Sequence, residues 1–224
     1  MQVLQHRWLN DLQSTEWPGE RPPWNPQYAD GFEMPPDGEH ILNGIVENGA
    51  VRGWMNPEVH ENLVRVSKLG NICLELGSWL GWSARTMLDS NPALHVICAD
   101  MYRPLDDPTD EERPYHPLNQ LDLFMHRNWD YRYRITILQG HTLTAISEVV
   151  RCEIEPDLIY VDSGHHWHIC GPEIASCCFL WPRTHIFGDD YPIAGVSKAV
   201  GVAVSTFSRP GRRTGRFWEL PPKE

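Results

Sequence analysis

Acidic side chains follow two short apolar runs in the second half of the chain. Asp162 follows LIYV, and the pair Asp189 and Asp190 follows HIFG. Both runs have the length and composition of buried strands. Neighbouring parallel strands lie about 4.8 Å apart, so carboxylates at their carboxyl ends can converge. Three carboxylates with no thiolate nearby form a hard oxygen site that suits magnesium or calcium. The pattern therefore predicts a divalent-metal site made by Asp162, Asp189 and Asp190.

A simpler interpretation of these acids needs no metal. Asp162 can cap the helix that follows it, and the Asp189–Asp190 pair can form a turn, as short acidic side chains often do. Without a cation, however, three clustered carboxylates would repel one another and raise one another's pKa. Because both acidic positions fall at predicted carboxyl ends of strands, we favour the metal site.

A second candidate site is the turn ELGSWLG at residues 75–81, which carries two glycines four residues apart. A dinucleotide-binding turn needs G-x-G-x-x-G, and here Trp79 stands where the second glycine would let the backbone approach a pyrophosphate. No G-K-[ST] follows, so the P-loop pattern is absent as well. The turn therefore favours a ligand without phosphate groups, or else a tight turn that needs glycine only for packing. Asp100 ends the next predicted strand, where an acid can accept both hydroxyls of a ribose.

The elements that must position these motifs alternate along the chain. We predict strands at 72–76, 95–100, 135–139, 158–162, 185–189 and 217–220, and helices around 55–69, 82–89, 117–129, 142–151, 166–181 and 194–206. This alternation predicts an α/β fold with a Rossmann-like, doubly wound and mainly parallel sheet, covered by helices on both faces. In such sheets, ligands bind beyond the carboxyl ends of the strands, near the switch in strand order.

The composition excludes several classes of partner. The net charge is −11, which argues against nucleic acid and against anionic membranes. The basic cluster RPGRRTGR at 209–216 is interpreted as a solvated turn. None of the six cysteines forms C-x-x-C, so we expect small core residues in a reducing compartment. No apolar run reaches membrane-spanning length and the first residues lack a signal-peptide core, so we expect a cytoplasmic protein.

Two motifs resemble a known family. V-D-S-G-H at 161–165 and F-G-D-D-Y at 187–191 resemble the metal-dependent O-methyltransferases of the macrocin and aminocoumarin sugar type, whose pattern is D-x-x-H after the fourth strand and G-D-D after the fifth. The turn E-x-G-x-x-x-G is similar to the first motif of class I S-adenosylmethionine-dependent methyltransferases. The resemblance covers roughly residues 55–205. It implies transfer of a methyl group from S-adenosylmethionine to a hydroxyl of a small acceptor, a sugar or a phenol, assisted by a divalent metal such as Mg²⁺.

The resemblance also implies roles for individual residues. Glu75 would help hold the amino group of the ligand, the backbone at 77–81 would wrap its aminoacyl end, and His165 would be the general base. The implied cofactor-binding residues are Glu75, Gly77, Ser78, Trp79, Gly81, Ser83, Asp100, Gly140, His141 and Asp162. Residues 55–224 would form the S-adenosylmethionine-binding domain. Residues 1–54 would form a proline- and tryptophan-rich arm lying on the domain or on a partner subunit.

The chain departs from the family pattern at three places. Gly140-His141-Thr142 stands where many relatives carry an acid or serine after the glycine, and Gly164 stands where some carry an acid. Only PPKE follows the strand 217–220, so we expect the seventh, antiparallel strand of class I methyltransferases to be missing, or else to be contributed differently. Such a gap would leave a sheet edge open, or covered by the arm or by a second subunit.

Two other functions remain open from the sequence. A protein that binds S-adenosylmethionine without transferring a methyl group would have no need for the acids together with His165. A metal-dependent hydrolase would leave the glycine turn and Asp100 unexplained. We therefore favour an O-methyltransferase with a small-molecule acceptor and without a nucleic-acid or membrane partner; a homo-oligomer is left open.

Overall fold

The computed structural model of the chain describes residues 15–28, 46–47, 50–51, 54–104 and 116–223. Its helices are α1 (Pro57–Val66), α2 (Trp82–Ser90), α3 (Gln120–Asn128), α4 (Thr142–Arg151), α5 (Trp167–Leu180) and α6 (Ala194–Phe207). Its strands are β1 (Val46–Glu47), β2 (Ala50–Val51), β3 (Ile72–Leu76), β4 (His95–Asp100), β5 (Ile135–Gln139), β6 (Leu158–Val161), β7 (His185–Gly188), β8 (Arg212–Thr214) and β9 (Phe217–Leu220). Most of the predicted arm and residues 105–115, in the segment between β4 and α3, lie outside the described residues.

Seven strands form one mixed sheet in the order β5-β4-β3-β6-β7-β9-β8. The five strands from β5 to β7 are parallel, and β9 pairs antiparallel with both β7 and β8. The predicted Rossmann-like, mainly parallel sheet is confirmed. The chain runs outward from β3 to β5, then returns to the other side of β3 at β6. The crevice for a ligand is therefore expected at the carboxyl ends of β3 and β6.

The expectation that the C-terminal strand is missing is wrong. The predicted strand 217–220 is itself the antiparallel strand, inserted between β7 and β8. The strand that sequence analysis missed is β8, whose three residues are all exposed. A short, exposed and arginine-rich edge strand carries no apolar alternation, and for this reason the segment was interpreted as a solvated turn.

Alternate residues of each strand face two different helical layers. Leu74 of β3 packs in a cluster with Ile146 of α4 and Ile174 of α5, whereas its neighbour Cys73 packs with residues of α1 and α3 such as Phe124. Helices therefore cover both faces of the sheet, as predicted. Each large apolar side chain that is fully buried contributes about 1.5–3 kcal/mol relative to exposure.

Two predicted helices differ in their bounds from the structure. The helix predicted at 55–69 ends earlier, because α1 stops at Val66 and a 3₁₀ turn follows, which leaves the side chain of Leu69 59% exposed. The predicted helix at 166–181 begins at Trp167 and continues across Pro172 as α5, although proline is unfavourable inside a helix. The cysteines behave as predicted: all six are free thiols and all but Cys152 are buried.

The described part of the arm lies against α3. The indole of Trp17 lies 6.4 Å from the ring of Phe124, and that of Trp24 lies 5.5 Å from the ring of His126, both measured between centroids. Aromatic rings at these separations attract one another in addition to burying area. The boundary between an arm at 1–54 and a domain at 55–224 stays a prediction. Across the described ranges, every helix falls short of the length and apolarity needed to cross a membrane.

Strand β9 is anchored by a buried charge cluster. Glu219 accepts a hydrogen bond from Arg65 Nη2 at 2.5 Å and is 3.0 Å from His185 Nε2. Burial alone would raise the pKa of Glu219, but hydrogen bonds from His185 and Arg65 outweigh it and lower the pKa to about 2. Since the folded pKa lies below the ordinary value of 4.5, Glu219 stabilises the fold at neutral pH.

We therefore expect Glu219→Gln to lower the free energy of unfolding by about 1–3 kcal/mol near neutral pH, because a charged acceptor is lost. The stabilisation by Glu219 is complete above the unfolded pKa and is lost as pH falls through the folded value, so the deficit shrinks between about pH 4.5 and pH 2. Urea denaturation of the variant and the wild type at a series of pH values measures this difference in the free energy of unfolding. Glu61→Gln, an exposed change on α1, is the control; an equal loss in both variants would contradict the expectation.

Candidate functional site

The loops after β6 and β7 bring two acids and a histidine together. Asp162, His165 and Asp190 each offer one ligand atom, and these atoms lie within 4.8 Å of one another. His165 Nε2 is 2.8 Å from Asp190 Oδ2. The two acidic strand ends therefore lie close together. Asp189 is adjacent to this group: its Oδ1 accepts a hydrogen bond from the Asp190 backbone N–H at 2.6 Å, and its side chain lines the same cavity as Asp162 and His165. The assignment of Asp162, Asp189 and Asp190 as metal ligands stays a prediction.

Arg216 is a member of the site that sequence analysis missed. It follows β8 in the turn of the terminal hairpin, and its guanidinium pairs with Asp190 Oδ1 and lies 3.5 Å from Asp189 Oδ1 through Nε. The protein itself thus supplies a positive charge beside these two carboxylates. No motif marks this arginine, because its position depends on the pairing of β9 with β7.

Burial controls the charge of the acids. Burial, and next the charge of Asp189, raise the pKa of Asp162 to about 7. Burial also raises the pKa of Asp189 to about 6, although the guanidinium of Arg216 acts in the opposite direction. Tyr160, two residues before Asp162 on the same face of β6, donates its hydroxyl to Asp162 Oδ2 at 3.0 Å. Without a further cation, this group of acids therefore retains a proton close to neutral pH.

The size and chemistry of the cluster fit a small cation. A cavity of about 10 Å³ beside the cluster is lined by Asp162, His165 and Asp189, with Trp218 among the other lining residues, whereas Asp190 lies outside its lining. This is about the space that one water molecule or one small ion needs. The carboxylates supply the oxygen ligands that Mg²⁺ or Mn²⁺ prefers. A divalent charge would oppose the burial and the repulsion by Asp189 that together raise the pKa of Asp162.

Packing beneath the loops holds the acids in place. The fully buried Trp218 of β9 donates its indole N–H to the Asp189 carbonyl at 2.8 Å. A Cβ at Gly188 would lie 2.4 Å from this ring, so glycine is required at the end of β7. On the other side, a Cβ at Gly195 in α6 would lie 2.2 Å from the His165 carbonyl. The two loops are thus fixed from both sides by close backbone contacts.

A buried carboxylate links the His165 loop to the loop after β5. Glu173 of α5 is fully buried and accepts hydrogen bonds from the hydroxyls of Ser163 and Thr142. Burial raises the pKa of Glu173, and these two hydroxyls oppose the increase. Sequence analysis did not single out this residue, since a glutamate inside a helix carries no local signal of burial.

The glycine turn packs directly on the loop that carries Asp162. Gly77 has φ +89°, and a Cβ there would lie 2.3 Å from the Asp162 carbonyl oxygen. Only glycine combines this backbone conformation with so close an approach. Gly81, with φ +76°, precedes α2 and packs against Phe124 and Asn128. The turn predicted to bind a ligand and the predicted metal site are therefore in contact.

The side chain of Asp100 holds the glycine turn by accepting hydrogen bonds from the backbone of that turn. One carboxylate oxygen, Oδ2, accepts hydrogen bonds from the N–H groups of Ser78 at 2.9 Å and Trp79 at 2.8 Å, and Oδ1 accepts one from Tyr102 at 2.7 Å. The sequence hypothesis assigned this acid to ribose hydroxyls. Because a carboxylate offers about four lone-pair sites, the contacts leave room for that role, which stays a prediction.

Glu75 is fully buried below the turn. Its Oε1 accepts a hydrogen bond from the Ser83 hydroxyl at 2.5 Å. Its Oε2 has no partner of normal geometry among the described residues, although the Ser78 hydroxyl lies beside the carboxyl group. Burial raises the pKa of Glu75, and the nearby hydroxyls lower it in part. An unpartnered buried oxygen is costly, so a ligand donor that reached Oε2 would recover free energy.

The remaining predicted cofactor residues surround the same strand ends. Gly140 follows β5 and donates its N–H to the Asp100 carbonyl at 2.9 Å, and His141 starts α4 with an exposed side chain. Trp79 has φ +42° and stacks on Trp54 with centroids 4.6 Å apart. A bulky residue in this backbone region is strained, and such strain is concentrated at functional sites. The roles of these residues in binding stay predictions.

We expect Gly77→Ala to lower the free energy of unfolding by about 2–4 kcal/mol, because the new methyl group meets the Asp162 backbone and the backbone is held at positive φ. Gly201→Ala is the matched control. Gly201 is exposed in α6 with open space around its Cβ position, and alanine there should stabilise by up to about 1 kcal/mol. Chemical denaturation measures both changes. Similar values for the two variants would show that the Gly77–Asp162 contact is not needed.

Comparison with known proteins gives similarity in structure alone. No protein-family profile matches the sequence, and no curated protein sequence matches it. The O-methyltransferase NovP superposes with a TM-score of 0.61 at 12% identity, over 84% of this chain and 88% of that chain. An O-methyltransferase from Bacillus cereus in complex with SAH superposes with a TM-score of 0.57 at 14% identity, over 84% and 86%. The calicheamicin methyltransferase CalS11 superposes with a TM-score of 0.54 at 14% identity, over 74% and 77%.

At this level of identity the likeness concerns the fold. The chain has the fold of the S-adenosylmethionine-dependent O-methyltransferases.

Proposed function

We propose that this protein is an S-adenosylmethionine-dependent O-methyltransferase that methylates a hydroxyl of a small acceptor with the help of a divalent cation. The observation that carries the proposal is the contact between Gly77 and the Asp162 backbone. It brings the phosphate-excluding glycine turn against the acid and histidine cluster at one end of the sheet. A cofactor that lies along the turn would therefore present its reactive end to that cluster.

The turn offers suitable partners for the cofactor. S-adenosylmethionine supplies a methyl group bonded to a positively charged sulfur, and it carries no phosphate. The unpartnered Glu75 Oε2 can accept from its amino group, and the Ser78 hydroxyl, also buried and without a partner of normal geometry in the described residues, lies beside it. Asp100 and Gly140 stand at neighbouring strand ends, where the ribose and adenine are expected. The bulk of Trp79 prevents the close contact between backbone and phosphate that a dinucleotide needs. A cofactor without phosphate does not need this contact.

Asp162 and Asp190 are the residues that would hold the cation. A bound divalent ion lowers the pKa of a hydroxyl placed next to it and fixes its position. Asp190 reaches His165 through Oδ2 and Arg216 through Oδ1, so it connects the cation site to both neighbours. The carboxylate of Asp189 accepts a hydrogen bond from the backbone N–H of Asp190. Asp189 can therefore support Asp190 without reaching the ion itself.

His165 is the proposed general base. Its side chain is 35% exposed, so an acceptor can reach it from the solvent side. With Asp190 accepting from Nε2–H, Nδ1 is left to take the proton of the acceptor hydroxyl, whose oxygen then receives the methyl group. Asp190 also stabilises the imidazolium that this transfer creates. Proper placement of the two reactants supplies much of the remaining rate.

A sugar or a phenol with two neighbouring oxygens is the proposed acceptor class, since two oxygens can bind one cation. CalS11 is described as a TDP-rhamnose 3'-O-methyltransferase, which favours a sugar. A protein that only bound the cofactor would gain nothing from the pairing of Asp162, His165 and Asp190. A metal hydrolase would have no use for the contact between Asp100 and the glycine turn.

Cofactor binding is the first test. SAH should bind the wild-type protein in calorimetry, and Asp100→Asn should weaken it by about tenfold or more, because the turn loses a charged acceptor. Asp122→Asn, an exposed change on α3, should bind as wild type. The titrations are repeated with magnesium and with EDTA, and affinity should not depend on the metal. A folded wild-type protein that does not bind SAH would rule out the methyltransferase proposal.

Catalysis is tested by turnover with a panel of sugars and catechols, followed as SAH release. His165→Ala should lower kcat by about 10²–10⁴-fold with little change in SAH affinity, and it should remove the rise of kcat with pH that the base produces. His168→Ala is the control, because His168 stacks on His166 and takes no part in the cluster. Equal losses in the two variants would assign the histidine segment a structural role.

A further inference from the structure

A second candidate binding site lies on the other side of the glycine turn from the acid cluster. It is an open cleft with a volume of about 440 Å³ between the described part of the arm, α2 and α3. Its walls carry three arginines and two tryptophans: Arg21, Arg85, Arg127, Trp24 and Trp82. Small-molecule sites usually have volumes of about 300–1,000 Å³, so the cleft is large enough for a small ligand.

The cleft is positively charged although the chain carries a net charge of −11. Among the described residues that line it, three guanidinium groups stand with one carboxylate, that of Asp130, which pairs with Arg21 at 2.6 Å. Arg85 also lies 3.7 Å from the exposed Asp89. Arg85 Nη1 donates to the Arg127 carbonyl, which keeps the two arginines close together. An anion placed in the cleft would be attracted by at least two positive charges at once.

Arg127 is held rigidly at the base of the cleft. Its guanidinium carbon lies 5.0 Å from the ring centre of Trp24 and 5.6 Å from that of Trp82, and its Nη1 donates to the Leu80 carbonyl at 3.2 Å. Burial, and next the charge of Arg85, lower the pKa of Arg127 to about 10, so it stays charged at neutral pH. An arginine fixed in this way loses little conformational freedom when it binds an anion.

The aromatic residues provide a second kind of contact. Trp24 and Trp82 present indole rings to the cleft, and a flat ring can stack on such faces. The indole N–H of Trp82 is buried and has no acceptor among the described residues. A buried donor without an acceptor costs free energy, which a ligand oxygen would recover. The cleft thus combines forked cationic donors with stacking surfaces.

We propose that this cleft binds a small phosphorylated ligand with a planar ring, of the nucleoside monophosphate class. The guanidinium groups match the oxygens of a phosphate dianion in geometry and charge, and the indoles match the ring. The site does not rest on the methyltransferase proposal, because it shares no residue with the acid cluster. It also differs from the glycine turn, which disfavours phosphate groups.

Calorimetric titration of the whole protein with adenosine 5'-monophosphate tests the proposal, at about 0.15 M salt. The protein is first saturated with SAH, so that the nucleotide cannot enter through a cofactor site. Binding is expected with the nucleotide, and weaker binding with adenosine alone or with inorganic phosphate alone. Arg85→Gln should weaken nucleotide binding by about tenfold or more. Trp24→Ala, in the arm, should weaken it by about fivefold or more through lost stacking.

Arg183→Gln is the matched control, since Arg183 is exposed and lies outside the cleft. It should bind the nucleotide as wild type does, and circular dichroism checks that each variant is folded. Absence of binding at millimolar nucleotide would overturn the proposal. So would equal weakening by Arg183→Gln, or binding that Arg85→Gln and Trp24→Ala leave unchanged. SAH binding measured without nucleotide reports on the methyltransferase proposal separately; if SAH does not bind, the same variants still identify the cleft.

Discussion

The close approach of Gly77 to the backbone of Asp162 is the constraint on which the rest of the site depends. β3 and β6 are hydrogen-bonded neighbours at the switch in strand order, and the chain leaves both at the same edge. The turn after β3 can pass over the start of the next loop only because residue 77 has no Cβ and adopts positive φ. Asp100 then fixes the same turn from the opposite side. The glycine turn and the loop that carries Asp162 are therefore packed directly on one another.

Electrostatics explains why the acid cluster needs its partners. Moving an unpaired carboxylate into a protein interior costs several kcal/mol, which is more than an exposed ion pair returns. Burial raises the pKa of Asp162 and that of Asp189, and the pairing of Arg216 with Asp189 and Asp190 opposes this effect only in part. Whatever enters the cluster must therefore bring positive charge or take the place of a proton. A divalent cation does the first, and it also binds the oxygens that the cluster presents.

Much of the fold could be predicted from the sequence because buried parallel strands are continuous apolar runs. ICLEL, HVICAD and LIYV indicate β3, β4 and β6 without any knowledge of their neighbours, and the acids that end two such runs indicate a site. What could not be predicted depends on contacts between distant residues. Arg216 and β8 are positioned by the pairing of β9 with β7, and nothing in a short exposed segment reveals that pairing.

The position of His165 beside Asp190 shows the same limit at the scale of a side chain. A sequence places both residues near the strand ends, but it does not reveal that Asp190 adopts φ +61° and turns its carboxylate towards the imidazole. Glu173 is a further case, since its burial depends on two hydroxyls from separate loops. Residue types and strand ends are local information, whereas the orientation of each donor follows from the tertiary structure.

The insertion of β9 between β7 and β8 has a consequence for the order of folding. The five parallel strands can pair as soon as they are synthesised, but Arg216 and Trp218 come from the last part of the sequence. Until that hairpin docks, Asp189 and Asp190 lack both their counter-charge and the indole beneath them. A nascent chain would thus pass through a state with a nearly complete sheet, an unpaired edge at β7 and unbalanced acids. Such a state would be prone to associate, because the unpaired edge of β7 is open to another chain until β9 covers it.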